Sequence, residues 1–223
     1  ARSIAAGYHD GSGKCAGDVD LLAANIRSGV NLFGVAGTVF PAGRQTTGQT
    51  NCYNTAGSVI ECAGTGQDGE SQKGEARSFT DNGDGTVTDN VSGLMWEKHS
   101  DDGSIHDKDN TYTWDNSFTK VATLNSMVFA GHNDWRLPNV VELQSLVNHG
   151  AANPSTFSAF NTGCVATCTV TSCSCTQSEH YWSSNTFQNV PANALYVNFV
   201  GGTSLNITKL SNRWVRAVRD ASL

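Results

Sequence analysis

Between Phe79 and Trp96 the chain reads FTDNGDGTVTDNVSGLMW, and the Asn-Gly-Asp-Gly run in that stretch leaves the backbone little choice but to reverse. Asn82, Gly83 and Gly85 can take positive φ without the Cβ clash that penalises other residues, so a hairpin is predicted here. Beyond the turn Val87, and again Leu94 and Trp96, set apolar side chains at even spacing, which gives the strand one buried face. The hairpin also divides the chain, because a polar, glycine-rich first third precedes it and all five tryptophans lie at or beyond Trp96.

The 223 residues suffice for one medium domain plus an appendage, or for two small domains. Only 15% of residues are charged, so solubility must come from Asn, Ser, Thr and Gly, a composition that suits an extracellular β-rich protein. A net charge of -6 argues against nucleic acid as a partner and against broad capture of polyanions, since both need a positive field. No run of about 20 apolar residues is present, so membrane insertion is not expected. The chain opens on Ala1 without an initiator Met, which fits a processed secretory precursor.

Seven cysteines point to the same compartment. Cys52 and Cys62 bracket YNTAGSVIE, whose Ala-Gly-Ser centre reads as a turn, so a disulfide across a small hairpin is expected. Cys164, Cys168, Cys173 and Cys175 crowd into one loop, where three pairings are open. Disulfides are favoured there over zinc or an iron-sulfur cluster, because the spacing lacks paired CxxC knuckles and no His intervenes. Cys15 is left over, either free, paired over a long closure, or bonded to another subunit.

Residues 1–47 read as a glycine-rich N-terminal module. Asp18 is placed to cap a helix with Leu21, Leu22 and Ile26 on one face and Gly29 as its stop, and VNLFGVAGTV reads as a strand. Such a module buries little alone, so packing on a neighbouring subunit is a reading to test. Residues 48–76 read as a disulfide-stapled linker hairpin, and 77–223 as the main domain. Within it Thr113 should cap a helix from Trp114 to about Asn125 with Trp114, Phe118, Val121 and Ala122 on its buried stripe. Asn139 with Glu142 makes a capping-box pattern for a second helix, ending at Gly150, with Val140, Leu143, Leu146 and Val147 inward. A long loop over about 151–179 follows, then strands around HYWSS, ALYVNFV, SLNITKL and RWVRAVRD. In ALYVNFV, Leu195, Val197 and Phe199 should form a dry face and Tyr196 and Asn198 a wet one.

Five motifs then occur in order: FTDNGDGTVTD over 79–89, GLMW over 93–96, DWRLP over 134–138 with Glu142 and Leu143, YWSS over 181–184, and VRAVR over 215–219. Together they make the chain, from about 77 to 220, resemble the Lcl C-terminal-domain family, named for the terminal domain of a bacterial collagen-like adhesin. The resemblance implies an α+β, C-type-lectin-like domain with two helices and a twisted, mainly antiparallel sheet. It also implies a secreted or bacterial-surface location and binding instead of catalysis. The named member is an oligomeric adhesin that recognises sulfated glycosaminoglycans, whereas this chain has no collagen repeat and a net negative charge.

Candidate sites follow from residue chemistry. Asp81, Asn82, Asp84 and Asp89 invite a structural calcium, but an EF-hand register puts Thr80 and Val91 where carboxylates belong, and a hairpin turn needs these residue types anyway. His132, Asn133 and Asp134 beside Trp135 are similar to a lectin Trp-Asn-Asp motif in the wrong order, and Trp135, Arg136 and Leu137 are expected to dock the second helix instead. No nucleophile elbow or reactive thiol environment is present, so an enzyme is not expected. Ligand contact is expected from Asn185, Phe187, Asn189, Tyr196, Asn198, Asn206, Thr208, Lys209, Asn212 and Arg213, which mix amphipathic rings with adaptable amides; Trp182 and Trp214 are assigned to the core. The leading expectation is a non-catalytic, homo-oligomeric adhesion or recognition protein that needs no cofactor and binds a glycan or cell-surface protein. The alternative is a structural subunit of an extracellular appendage or filament, assembled through the N-terminal module.

Overall fold

The computed structural model describes residues 45–221 and the backbone of 31–32 and 35–36; Cys15 and the helix expected after Asp18 lie outside the described residues. The chain divides into two compact units, 1–44 and 45–223. In the first, strands β1 (Asn31–Leu32) and β2 (Val35–Ala36) pair antiparallel with Leu32 opposite Val35. The stretch expected as one strand therefore contains two short strands paired with each other.

The second unit opens with a hairpin of β3 (Cys52–Tyr53) and β4 (Val59–Ile60), closed by the Cys52–Cys62 disulfide as the sequence predicts. A short helix α1 (Asp68–Ser71) follows. This segment belongs to the same unit as the main domain, to which it is tied by backbone bonds such as His149 N–H to Thr47 O at 2.9 Å.

The Asn-Gly-Asp-Gly stretch forms the predicted turn between β5 (Phe79–Asp81) and β6 (Thr86–Asp89). Trp96, however, lies on a third strand, β7 (Leu94–Glu97), reached through a second reversal. Asp89 makes that reversal, its carboxylate accepting from the N–H groups of Val91 and Ser92. Helix α2 (Trp114–Ser126) starts where predicted, with the Thr113 hydroxyl accepting from Asn116 N–H. Its buried face differs from the expected stripe: Ser117, Lys120, Val121 and Leu124 point inward, while Phe118 and Ala122 are exposed. The helix is turned to bring Lys120 onto a buried carboxylate, and Trp114 and Phe118 pack edge to face on its flank.

Helix α3 (Val140–Gln144) has the full capping box, Asn139 and Glu142 each accepting from the other's backbone N–H. It ends six residues before Gly150, because Thr156 captures the Leu146 carbonyl and bridges Val147. Leu143, Leu146 and Val147 still reach the core. In the loop that follows, the open pairing resolves as Cys164–Cys175 and Cys168–Cys173.

Strands β8 (His180–Thr186), β9 (Asn193–Asn198) and β10 (Thr203–Thr208) form an antiparallel sheet ordered β10-β9-β8. The last strand, β11 (Val218–Asp220), returns to the first sheet, ordered β11-β7-β6-β5. The main core lies between the sheets, where Val87, Trp96 and Val218 meet Tyr181, Val197 and Phe199, with Leu143 of α3 beside them. Val121 and Leu124 of α2 pack with Phe129, Trp135 and Ala217 in a second cluster. A third unites Leu137, Trp182, Ala194, Tyr196 and Val215. Strand β9 is thus covered on both faces, and Tyr196, expected to be wet, is 7% exposed. As the middle strand it has apolar partners on either side, which alternation within one strand does not reveal. The architecture is α+β.

Gly83 and Gly85 both have positive φ, +75° and +98°, but a Cβ at Gly83 would meet nothing within 4 Å while one at Gly85 would press on Val170 and Phe129. Gly83→Ala is expected to lower stability by about 1 kcal/mol from backbone strain alone. Gly85→Ala adds overpacking and should cost at least about 2 kcal/mol. Urea unfolding of the two variants checks the order.

Candidate functional site

The structure gathers some of the expected contact residues and disperses others. Lys209 lies with its ammonium 4.0 Å from the Trp114 ring centroid and donates to Thr186 Oγ1 at 2.9 Å. Beside it Asn206 accepts from the Asn193 amide, and Phe187 N–H donates to Asn193 O. Thr208 is exposed at the same end of β10, Asn189 is exposed in a turn, and Asn212 is exposed in the link after β10. Arg213 joins its backbone to Tyr112 in both directions. Three expected residues are instead bound into the fold: Asn185 accepts from Val140 N–H at the start of α3, Asn198 accepts from Val200 N–H, and Tyr196 is core. Trp182 is fully buried and Trp214 partly so.

The acidic turn residues work within the hairpin. Asp81 accepts from Gly83 N–H and pairs with Lys98 at 2.8 Å, Asp84 accepts from Thr86, and the Asn82 amide donates to Thr86 and Thr88. Among the described residues the carboxylates of Asp81, Asp84 and Asp89 do not converge, whereas those of Asp101, Asp107 and Asp109 come within 4.8 Å of one another. Lys108 already supplies a positive charge there, 3.3 Å from Asp101 and 2.8 Å from Asp109. Of the three residues expected to dock the second helix, Arg136 holds α3 through a two-pronged pair with Glu142 at 2.7 Å, whereas Trp135 packs with Val121 and Leu124 of α2 and Leu137 with Trp182 and Tyr196.

The most concentrated chemistry went unread in the sequence. Glu97, at the end of β7, is 0% exposed. Its carboxylate accepts from Lys120 Nζ at 2.8 and 2.7 Å, from His106 Nδ1 at 2.8 Å and from Ala217 N–H at 2.9 Å. Lys120 spends its third proton on Val215 O at 2.9 Å. Burial by itself would raise the Glu97 pKa, but Lys120 and then His106 outweigh it and hold the carboxyl well below the usual range. His99 Nε2 donates to Val215 O at 3.0 Å, which leaves a buried Nδ1 with no partner. A protonated ring would bury an N–H with no acceptor, and burial together with nearby Arg216 pushes the His99 pKa well down. Arg216 itself is buried, donating to the carbonyls of Glu97 and Cys175 and to Thr176 Oγ1. A signal is present in the sequence: Met95 and Glu97 share one face of β7, His99 continues that alternation two residues beyond its end, and Lys120 sits at helical spacing with Ser117, Val121 and Leu124.

On the solvent side of this centre, Ile105, Tyr112, Asn116, Thr119, Lys120 and Thr123 line a hollow of about 260 Å³. Thr123 donates to the Thr119 carbonyl. The Tyr112 hydroxyl, the Asn116 amide and the Thr119 hydroxyl carry no hydrogen bond from the described residues. Burial, and secondarily Glu97, raises the Tyr112 pKa, so the phenol keeps its proton.

Two outcomes follow from the buried centre. Glu97→Gln leaves Lys120 buried without its counter-charge and should cost about 3–5 kcal/mol, with Glu97→Gln/Lys120→Met recovering part of the loss, as urea unfolding would show. His99 is held neutral in the fold but accepts a proton near pH ~6.5 when unfolded. Its stability contribution is therefore intact above that pH and lost as pH falls below it. Unfolding free energy measured between about pH 7 and 5 should fall less steeply in His99→Gln than in the parent.

No curated protein matches the chain. The family model of the Lcl C-terminal domain matches residues 85–219, more than half of the chain, from the glycine of the first turn to the final strand. Among the described residues no helix is long and apolar enough to cross a membrane. The chain belongs to the Lcl C-terminal domain family.

Proposed function

We propose that residues 45–221 form a non-catalytic, C-type-lectin-like recognition domain of a secreted or bacterial-surface protein, which binds a glycan or a cell-surface protein and uses no cofactor. One contrast carries this reading. The buried groups suited to acid-base or nucleophilic work are committed to structure, Glu97 to Lys120, His106 and Ala217, and six cysteines to three disulfides. Exposed positions such as Asn116, Thr119, Asn189, Thr208 and Asn212 offer amides and hydroxyls instead. Such groups, set among Tyr112, Trp114 and Phe187, suit recognition by hydrogen bonds and ring contact.

A subunit of an extracellular appendage or filament is the second reading. It is favoured by β10, whose six residues TSLNIT carry no charge or proline and stand at the outer edge of their sheet with Leu205 51% exposed. Edges of that kind invite pairing with another chain.

A glycan array probed with the intact protein should give selective hits. An array without hits, together with polymers that vanish on deleting residues 1–47, would replace recognition by the filament reading.

A further inference from the structure

We propose that the hollow beside α2 is a binding subsite for a single neutral, hydroxyl-rich sugar unit, an inference that rests on the recognition reading above. Its walls come from one helix: Asn116, Thr119, Lys120 and Thr123 recur at the spacing that places them side by side, and Tyr112 and Ile105 complete the rim. The volume, about 260 Å³, falls just below the roughly 300 Å³ at which pockets for drug-sized ligands begin. That is room for one sugar ring within the hollow.

Charge selects the class of ligand. Lys120 is the one ionisable cation in the lining, and all three of its protons are taken by Glu97 and Val215. A sulfate or carboxylate entering the hollow would lose water and gain no free cation. The uncommitted atoms are of another kind. The Asn116 amide both donates and accepts, the Thr119 hydroxyl does the same, and the Tyr112 phenol is held in its protonated form. A pyranose offers matching donors and acceptors around its edge, and its C–H face can lie against the Tyr112 ring and Ile105. Because Lys120 and Glu97 hold α2 against β7 and the chain near Val215, the donors stand on a fixed backbone and little ordering is required on binding.

The test is amide-resolved NMR of the full chain, titrated separately with the methyl glycosides of galactose, glucose, mannose and N-acetylglucosamine, and with a sulfated heparin disaccharide. At least one neutral glycoside should shift the amides of residues 105 and 112–123. Asn116→Ala/Thr119→Val, changed at exposed helix positions, should weaken that binding about tenfold, as expected for losing two neutral hydrogen bonds. Its thermal unfolding should match the parent, and Tyr112→Phe should show a smaller loss. Shifts confined to other residues, or hollow-centred shifts unchanged in the double variant, would overturn the subsite. Binding there of the sulfated disaccharide alone would overturn its neutrality. If no glycoside shifts any amide, the double variant goes back to the glycan array: retained hits sink the subsite and spare the recognition reading, selectively lost hits support the subsite, and an array empty for the parent sinks both.

Discussion

Glu97 is buried at the end of β7 with its carboxylate fully engaged by three otherwise separate parts of the chain: Lys120 of α2, His106 of the preceding loop and the backbone of Ala217. Removing a carboxylate from water is costly, and it is tolerated only where several donors converge with good geometry. Satisfying Glu97 therefore places α2 against the first sheet, turns the helix so that Lys120 faces inward, and draws the segment 215–217, which leads into β11, alongside the end of β7. Arg216 extends the same arrangement, tying the Glu97 carbonyl to the backbone at Cys175 and so to the disulfide-bonded loop. Losing Lys120 would leave the buried carboxylate without its counter-charge, and losing His106 or the Ala217 N–H would leave it short of a donor, so each contact supports the others.

Indole N–H groups extend this logic of long-range ties into the second sheet. Trp182 donates to Tyr112 O, Trp114 to Ser183 O and Trp214 to Lys108 O. Each ring contributes apolar area to a cluster while its one polar atom closes a backbone carbonyl far away in sequence. The hollow lies between these two systems. Tyr112 is held by Trp182 and by its backbone pairing with Arg213, and the α2 residues are held through Lys120. A hollow built in this way presents its amide and hydroxyl groups from a fixed backbone.

What could be read from the sequence was the local chemistry. The Thr113 cap, the Asn139–Glu142 capping box, the Cys52–Cys62 closure and the glycine turn each depend on residues a few positions apart, and each stands where expected. The burial of Lys120 was not readable in this way, because a lysine on a helix is ordinarily a solvated residue and its partner lies 23 positions away. The pairing of the four clustered cysteines, the early end of α3 and the double burial of β9 likewise depend on neighbours supplied by other segments. Of the expected contact residues, Tyr196 and Asn185 failed for the same reason: their chemistry suited recognition, but the fold had already used it.

Internal pairing of charges also limits what the surface can attract. The sequence has 14 Lys and Arg, ten of them from residue 45 onward. Seven of those ten are occupied: Arg77 with Asp89, Lys98 with Asp81, Lys108 with Asp101 and Asp109, Lys120 with Glu97, Arg136 with Glu142, Arg219 with Asp134, and Arg216 with backbone carbonyls. Lys73, Lys209 and Arg213 remain without a carboxylate partner among the described residues. Capture of a polyanion needs several free cations along one face, and Lys209 is itself drawn over the Trp114 ring. A domain that spends its cations internally and shows amides, hydroxyls and aromatic edges outside is better matched to neutral groups, for which specificity comes from hydrogen-bond geometry and shape instead of from the field.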